Sequence, residues 1–131
     1  MSIFENKAQL NKPVSEVYAF LSDFNNHKEL MPDNISNWSS TTDEAHFSVQ
    51  NMAKLDLKIS SRIENRTIII SPSGEVPFTI EMRWVLADLG NHITEAIFTI
   101  SAELNMMLKM IASGPLTKLA EHQTEALKKI L

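Results

Sequence analysis

From "AHFSV" to "EAIFTISAEL" the apolar side chains fall on every second position, and this alternation restricts the fold more than any other feature. In "AKLDLKISSRIE", Ala53, Leu55, Leu57, Ile59 and Ile63 share one face, and Lys54, Asp56, Lys58, Arg62 and Glu64 the other. "FTIEMRWVL" sets Phe78, Ile80, Met82, Trp84 and Leu86 against Thr79, Glu81 and Arg83. "EAIFTISAEL" sets Ala96, Phe98, Ile100, Ala102 and Leu104 against Thr99, Ser101 and Glu103. Successive side chains of a strand point to opposite faces, so the pattern predicts sheet with one buried and one wet face. "ISNWSST", "AHFSV" and "TIIIS" predict shorter strands. The links are brief and rich in turn formers: Thr42-Asp43, Asn65, Pro72-Ser73-Gly74 and Leu89-Gly90-Asn91. Links this short can join only antiparallel neighbours, because parallel strands need a crossover. Six strands therefore form a meander.

The segments outside the meander supply the other layer. "SIFENKAQL", closed by Asn11-Lys12-Pro13, predicts a first strand that completes a seven-stranded antiparallel sheet. In "VSEVYAFLSDF" the period changes: Val14, Val17, Tyr18, Leu21 and Phe24 recur at helical spacing. "NNHKELMP" predicts a second short helix, stopped by Pro32. The sheet then has an apolar face with nothing on it, and the C-terminal segment is the one long element left to cover it. The expected class is α+β: a strand, two short helices, six strands and a long last helix.

At 131 residues the chain makes one domain, 1–131, which buries about two-thirds of its unfolded surface and needs no covalent staples. It has no cysteine, so thiolate chemistry and disulfides are excluded. No apolar run is long enough to span a membrane. The opening "MSIFENKAQL" lacks the basic start and apolar core of a signal peptide, so a cytoplasmic protein is expected. The net charge is −4 and the basic residues are scattered, which disfavours nucleic acid as a partner. Nothing in the sequence specifies an oligomeric state.

This order of elements resembles the helix-grip fold of the START-like (SRPBCC) superfamily, along the whole chain. "PVSEVYAFLSDFNNHKELMP" resembles the superfamily's first helix pair in Pro13, Val17, Leu21, Asp23, Leu30 and Pro32. "NMMLKMIASGPLTKL" is similar to the tail of small single-domain bacterial members of unassigned function. The resemblance implies a curved sheet wrapped around the last helix, with an apolar cavity between them. Members include lipid and sterol carriers, quinone-binding proteins, polyketide cyclases and co-chaperones, and fold alone does not choose among them.

Candidate cavity residues follow from that expectation. On a helical wheel, Leu119, Ala120, Gln123, Leu127 and Ile130 lie within about 60° of Leu116, while Lys118, Glu121, Glu125 and Lys128 point away. Gln123 thus carries an amide into an apolar face, where an unpaired polar group costs about 1–3 kcal/mol. It needs a partner from the protein, a water or a ligand. Gly114-Pro115 predicts a kink or break near Ser113, freeing the segment with Met106, Met107, Met110 and Ile111 to form a soft gate or floor. Trp38, Phe47, Trp84 and Phe98 would be aromatic walls, Leu55, Met82 and Leu119 aliphatic ones, and Met107 and Met110 the flap. His122, at the margin of the helix's inner face next to Gln123, would be either an acid or base in the cavity or a half-exposed surface histidine.

Catalytic and metal sites find no support. The histidines at 27, 46, 92 and 122 lack ligand spacing, and there is no GxSxG, Walker or GxGxxG motif. No cofactor is expected. The outward glutamates at 64, 81, 95 and 103 are expected to pair across strands with lysine and arginine. The leading expectation is a binder of a small apolar or amphipathic ligand, lipid, polyketide or quinone-like. The alternatives are a cyclase, dehydratase or isomerase using the same cavity, and a co-chaperone-like interaction module.

Overall fold

The computed structural model of the protein describes residues 1–50, 53–76 and 78–131. Strand β1 (Ser2–Leu10) leads into helices α1 (Val14–Leu21) and α2 (Phe24–His27), the latter continued by a 3-10 turn at Lys28–Leu30. Strands β2 (Ile35–Ser40), β3 (Glu44–Val49), β4 (Ala53–Ile63), β5 (Thr67–Pro72), β6 (Ile80–Gly90) and β7 (Ile93–Ala102) follow, and helix α3 (Met106–Ile130) ends the chain. All seven strands form one antiparallel sheet in the order β1-β7-β6-β5-β4-β3-β2. The sheet curves into a half-barrel around α3, the expected helix-grip architecture. The inward expectation for Ala53 concerns a side chain outside the described set.

Local chemistry explains the punctuation. Pro13, extended at φ −64° and ψ 149°, stands at the N-cap of α1, where a missing N–H costs nothing. Asp23 caps α2 by accepting from the Asn25 amide at 2.9 Å. Asn105 caps α3 by accepting from Leu108 N at 2.8 Å. The β6–β7 turn holds Gly90, Asn91 and His92 at positive φ, a conformation that glycine and asparagine tolerate best.

The alternation holds through β6 and β7: Phe78, Ile80, Met82, Trp84, Leu86, Ala96, Phe98, Ile100, Ala102 and Leu104 are all buried. It fails in β4. Ile59 pairs with Ile70 and Ser61 with Ile69, so Ser60 is an unpaired insertion in the ladder. A bulge of one residue reverses the side-chain parity beyond it. Ile63, expected inward, is therefore 51% exposed. Arg62, expected on the wet face, registers with the buried Ile68 and turns to the concave side. There its guanidinium donates to Ser22 O at 2.7 Å and to Asp43 Oδ1 at 2.7 Å, tying the α1–α2 corner to the sheet. On the outer face Glu81 pairs with Arg83 two residues along its own strand, at 3.0 Å, rather than across strands.

Helix α3 also departs from expectation. It runs unbroken through Gly114 and Pro115. Ala112 and Leu116, on either side of the proline, are fully buried, and their packing holds the helix in line. A Cβ added at Gly114 would meet nothing within 4 Å, so this stretch of the outer face is open. Continuity fixes the phase of the methionine segment. Carried back from Leu116, the wheel puts Met107 about 180° and Met110 about 120° from the buried stripe. They are 71% and 84% exposed, and Met106 and Ile111 are exposed as well. Ile130, although in phase, lies in the last turn and is 42% exposed.

Candidate functional site

Helix α3 lies against β1, β7 and the 3-10 turn. Leu116, Leu119, Ala120, Gln123, Thr124 and Leu127 form its buried stripe. Thr124, fully buried, accepts a hydrogen bond from Asn6 Nδ2 of β1 at 2.8 Å and donates back to Ala120 O. On the next position, Gln123 is 2% exposed and turns toward the 3-10 turn, where its Nε2 donates to the sulfur of Met31 at 3.8 Å. A thioether can only accept, so the NH2 end of the amide faces Met31 and the carbonyl end faces elsewhere. Gln123 Oε1 has no hydrogen-bond partner among the described residues.

The sheet below carries a complementary group. Trp84 of β6 is fully buried and stacks on Phe98 of β7, with ring centroids 4.6 Å apart. Its indole N–H, a donor only, also lacks a partner among the described residues. Trp84 pairs with Phe98, Phe98 pairs with Asn6, and Asn6 holds the residue next to Gln123. Among the described residues the core thus holds one donor and one acceptor without partners, Trp84 Nε1 on the sheet and Gln123 Oε1 on the helix. Each costs about 1–3 kcal/mol, and folded proteins keep very few such groups. A third buried orphan, Asn34 Oδ1, lies in the loop before β2.

Beside Met31 the surface opens into a cleft of about 480 Å³. Met31, Pro32, Ile35 and Trp38 supply its apolar walls, and Lys28 and Asp33 are its charged members. Trp38 owes its place to a second bulge. Ser36 pairs with Ser48 and Ser39 with His46, so Asn37 and Trp38 together oppose Phe47. Asn37 takes φ 57°, and Trp38 turns inward to stack on Phe47 at 5.3 Å. Met31 lines the cleft on one side and touches the Gln123 amide on the other.

Of the expected cavity residues, Phe47, Leu55, Met82, Trp84, Phe98, Leu119 and Gln123 are buried in the core that sheet and helix share. Trp38 is half-buried and lines the cleft. Met107 and Met110 are excluded from this interior by the phase of the helix. His122 is exposed, and its Nδ1–H donates to Leu30 O at 3.1 Å, so it staples α3 to the 3-10 turn instead of facing the core. Met31 was not anticipated, because "ELMP" reads only as a helix stop. Thr124 lies about 80° from Leu116 on the wheel, just outside the sector read as inward. Only a sheet edge that wraps the helix buries it.

The buried histidine is His27, not His122. It is 1% exposed, donates from Nε2 to Leu21 O at 2.7 Å and meets Phe24 edge-on. Burial lowers its pKa to about 4, against smaller opposing effects of the Leu21 carbonyl and the Asp23 charge, so it is neutral at pH 7. On the convex face, His46 Nδ1 sits 2.7 Å from Asp56 Oδ1 across β3 and β4. Among the described residues no three His, Cys, Asp or Glu side chains gather as a metal would require, and no helix is long and apolar enough to cross a membrane.

This arrangement is a START-like helix-grip fold, the class that a curved seven-stranded sheet closed on a long terminal helix defines. No family model matches the sequence, and no curated protein matches it either. Solved structures carry the likeness. A START superfamily protein from Mycobacterium smegmatis superposes with a TM-score of 0.70 at 15% identity, over 98% of this chain and 99% of that one. Aha1 from Colwellia psychrerythraea, solved as a dimer, superposes with 0.71 at 21% identity, over 100% and 96%. The di-domain ARO/CYC BexL from the BE-7585A biosynthetic pathway gives 0.72 at 11% identity, over 98% of this chain and 46% of that one. At these identities the likeness is one of fold.

Proposed function

We propose that the chain binds a small apolar or amphipathic molecule that enters at the cleft beside Met31 and ends between the sheet and α3, at Gln123 and Trp84. The observation that carries this reading is the pair of unmet polar atoms, an acceptor on the helix and a donor on the sheet, set in a mostly apolar interior. Small-molecule sites are commonly of this kind, mostly apolar with a few convergent polar groups. A cleft of about 480 Å³ falls within the usual size of such sites. Met31 is suited to the boundary, because an unbranched thioether changes rotamer at low cost.

Titration with N-phenyl-1-naphthylamine, an uncharged fluorescent probe, tests the reading. Saturable binding at a single site is expected. Met31→Trp, which sets a larger side chain between the cleft and Gln123, should weaken it by about tenfold or more. Lys118→Ala, on the exposed face of α3, should leave it unchanged. An absence of saturable binding, together with no retained mass in native mass spectrometry, refutes the proposal.

A further inference from the structure

The sheet ends in two edge strands of unlike character. Strand β2 is six residues long and bulged, with Asn37 at φ 57°, and both features spoil an edge as a template for another strand. Strand β1 has neither. Its nine residues pair with β7 in unbroken register from Ser2 to Leu10, with no proline among them. Among the described residues its backbone bonds to β7 alone, which leaves a row of amide and carbonyl groups on the outer edge without partners. Helix α3 does not close over the start of that edge: Ile3, Phe4 and Glu5 line a groove of about 230 Å³ with Thr117, Ala120 and Glu121 of the helix.

The side chains of β1 match a reversed copy of themselves. Ile3, Glu5, Lys7 and Gln9 alternate on the exposed face. Glu5 and Lys7 carry opposite charges on either side of Asn6, the middle residue of the strand. Neither belongs to an ion pair among the described residues, and Glu5 accepts from the Thr99 hydroxyl at 2.8 Å. Two copies laid antiparallel about a twofold axis at Asn6 overlap along the whole strand. Ser2 then faces Leu10 of the second copy, Ile3 faces Gln9, Phe4 faces Ala8 and Glu5 faces Lys7, and the symmetry repeats each contact. An axis at Glu5 or at Lys7 shortens the overlap and sets like charges opposite each other, which is destabilising. The fully overlapped register is thus also the charge-matched one.

We propose that β1 is a self-recognition edge: two copies of the chain join β1 to β1 about a twofold axis at Asn6, forming one continuous sheet with two reciprocal Glu5–Lys7 pairs on its convex face. The backbone groups supply the adhesion, as in other cases of strand addition. The charges fix the register and exclude its neighbours. Ile3, 56% exposed in the single chain, gains cover from Gln9 of the second copy.

Sedimentation velocity over a range of concentrations and a cysteine cross-link test the pairing. The wild type is expected to form a concentration-dependent dimer of twice the 14.8 kDa chain mass. Glu5→Lys and Lys7→Glu each set like charges together at both pairs, and each should weaken dimerisation by about tenfold or more. Combining Glu5→Lys with Lys7→Glu exchanges the charges and should restore the dimer. Far-UV circular dichroism checks the fold of each variant. The double variant also lacks the Thr99 bond to Glu5, so its recovery excludes loss of that bond as the cause of the single-variant defects. The chain has no cysteine, so Ile3→Cys with Gln9→Cys introduces the sole thiols. Within one strand the two positions lie about 20 Å apart, too far to bridge, whereas across the axis they stand opposite. Mild oxidation should therefore give a disulfide-linked dimer. A monomer at every concentration overturns the proposal. A dimer that ignores the charge reversals, or that fails to cross-link, overturns it as well, because it uses another surface.

Discussion

His27 is the sharpest place to test the packing of this fold. The unfolded chain titrates this histidine near 6.5, whereas in the folded protein burial lowers the value to about 4. Between these values the unfolded state takes up a proton that the folded state refuses. The neutral imidazole's contribution is therefore fully present above about pH 6.5 and is lost as the pH falls toward 4. At about 1.4 kcal/mol per pH unit, the interval from 6.5 to about 4 amounts to about 3 kcal/mol. Whole domains are stable by only about 5–15 kcal/mol, so the effect is large enough to read directly. The assay is urea unfolding at a series of pH values from about 7.5 down to 4, on the wild type and on His27→Gln. At pH 7.5 the variant should be less stable by about 1–3 kcal/mol, because Leu21 O loses the donor that meets it at 2.7 Å. As the pH falls to 4 the wild type should lose about 3 kcal/mol relative to the variant, enough for the two curves to meet or cross, since only the wild type has this proton to bind. A constant gap across the whole range would refute the reasoning, whatever the pH dependence of the rest of the molecule.

Two further outcomes follow from helix α3. Gly114→Ala should raise stability by about 0.5–1 kcal/mol in thermal or urea unfolding, because the added methyl meets no atom within 4 Å and the helix interior favours alanine. Replacing both Met107 and Met110 with serine should change stability by no more than about 0.5 kcal/mol per site, as surface substitutions do. A loss of several kcal/mol in that double variant would mean that the methionines pack inward after all.

Most of the architecture was legible in the sequence, because it depends on local periodicity. Runs of six to eleven residues with a period of two, joined by links of two to seven residues, leave little choice but an antiparallel meander. A sheet with one bare apolar face then requires the single long helix as its cover. Gln123 could be placed inside for the same reason, since it shares a phase with Leu116, Leu119 and Leu127. Ile63 and Arg62 could not be placed, because a bulge at Ser60 is a property of pairing with β5 and leaves no mark in β4 alone. The methionine segment departs from expectation because of Gly114-Pro115. Local chemistry argues for a break there, but the burial of Ala112 and Leu116 against the sheet outweighs the cost of one proline.

The candidate site divides along the same line. Sequence alone determined that an amide and a tryptophan would lie on the inner faces of the helix and the sheet, because which face a residue occupies follows from its phase within one element. Only the tertiary structure decided that Met31 would cover the amide's N–H, that His122 would be drawn away by the Leu30 carbonyl, and that Gln123 Oε1 and Trp84 Nε1 would be left without partners among the described residues. Whether a polar atom is satisfied depends on what several distant segments bring to within hydrogen-bond distance of it. The phase of a single helix or strand carries no information about that.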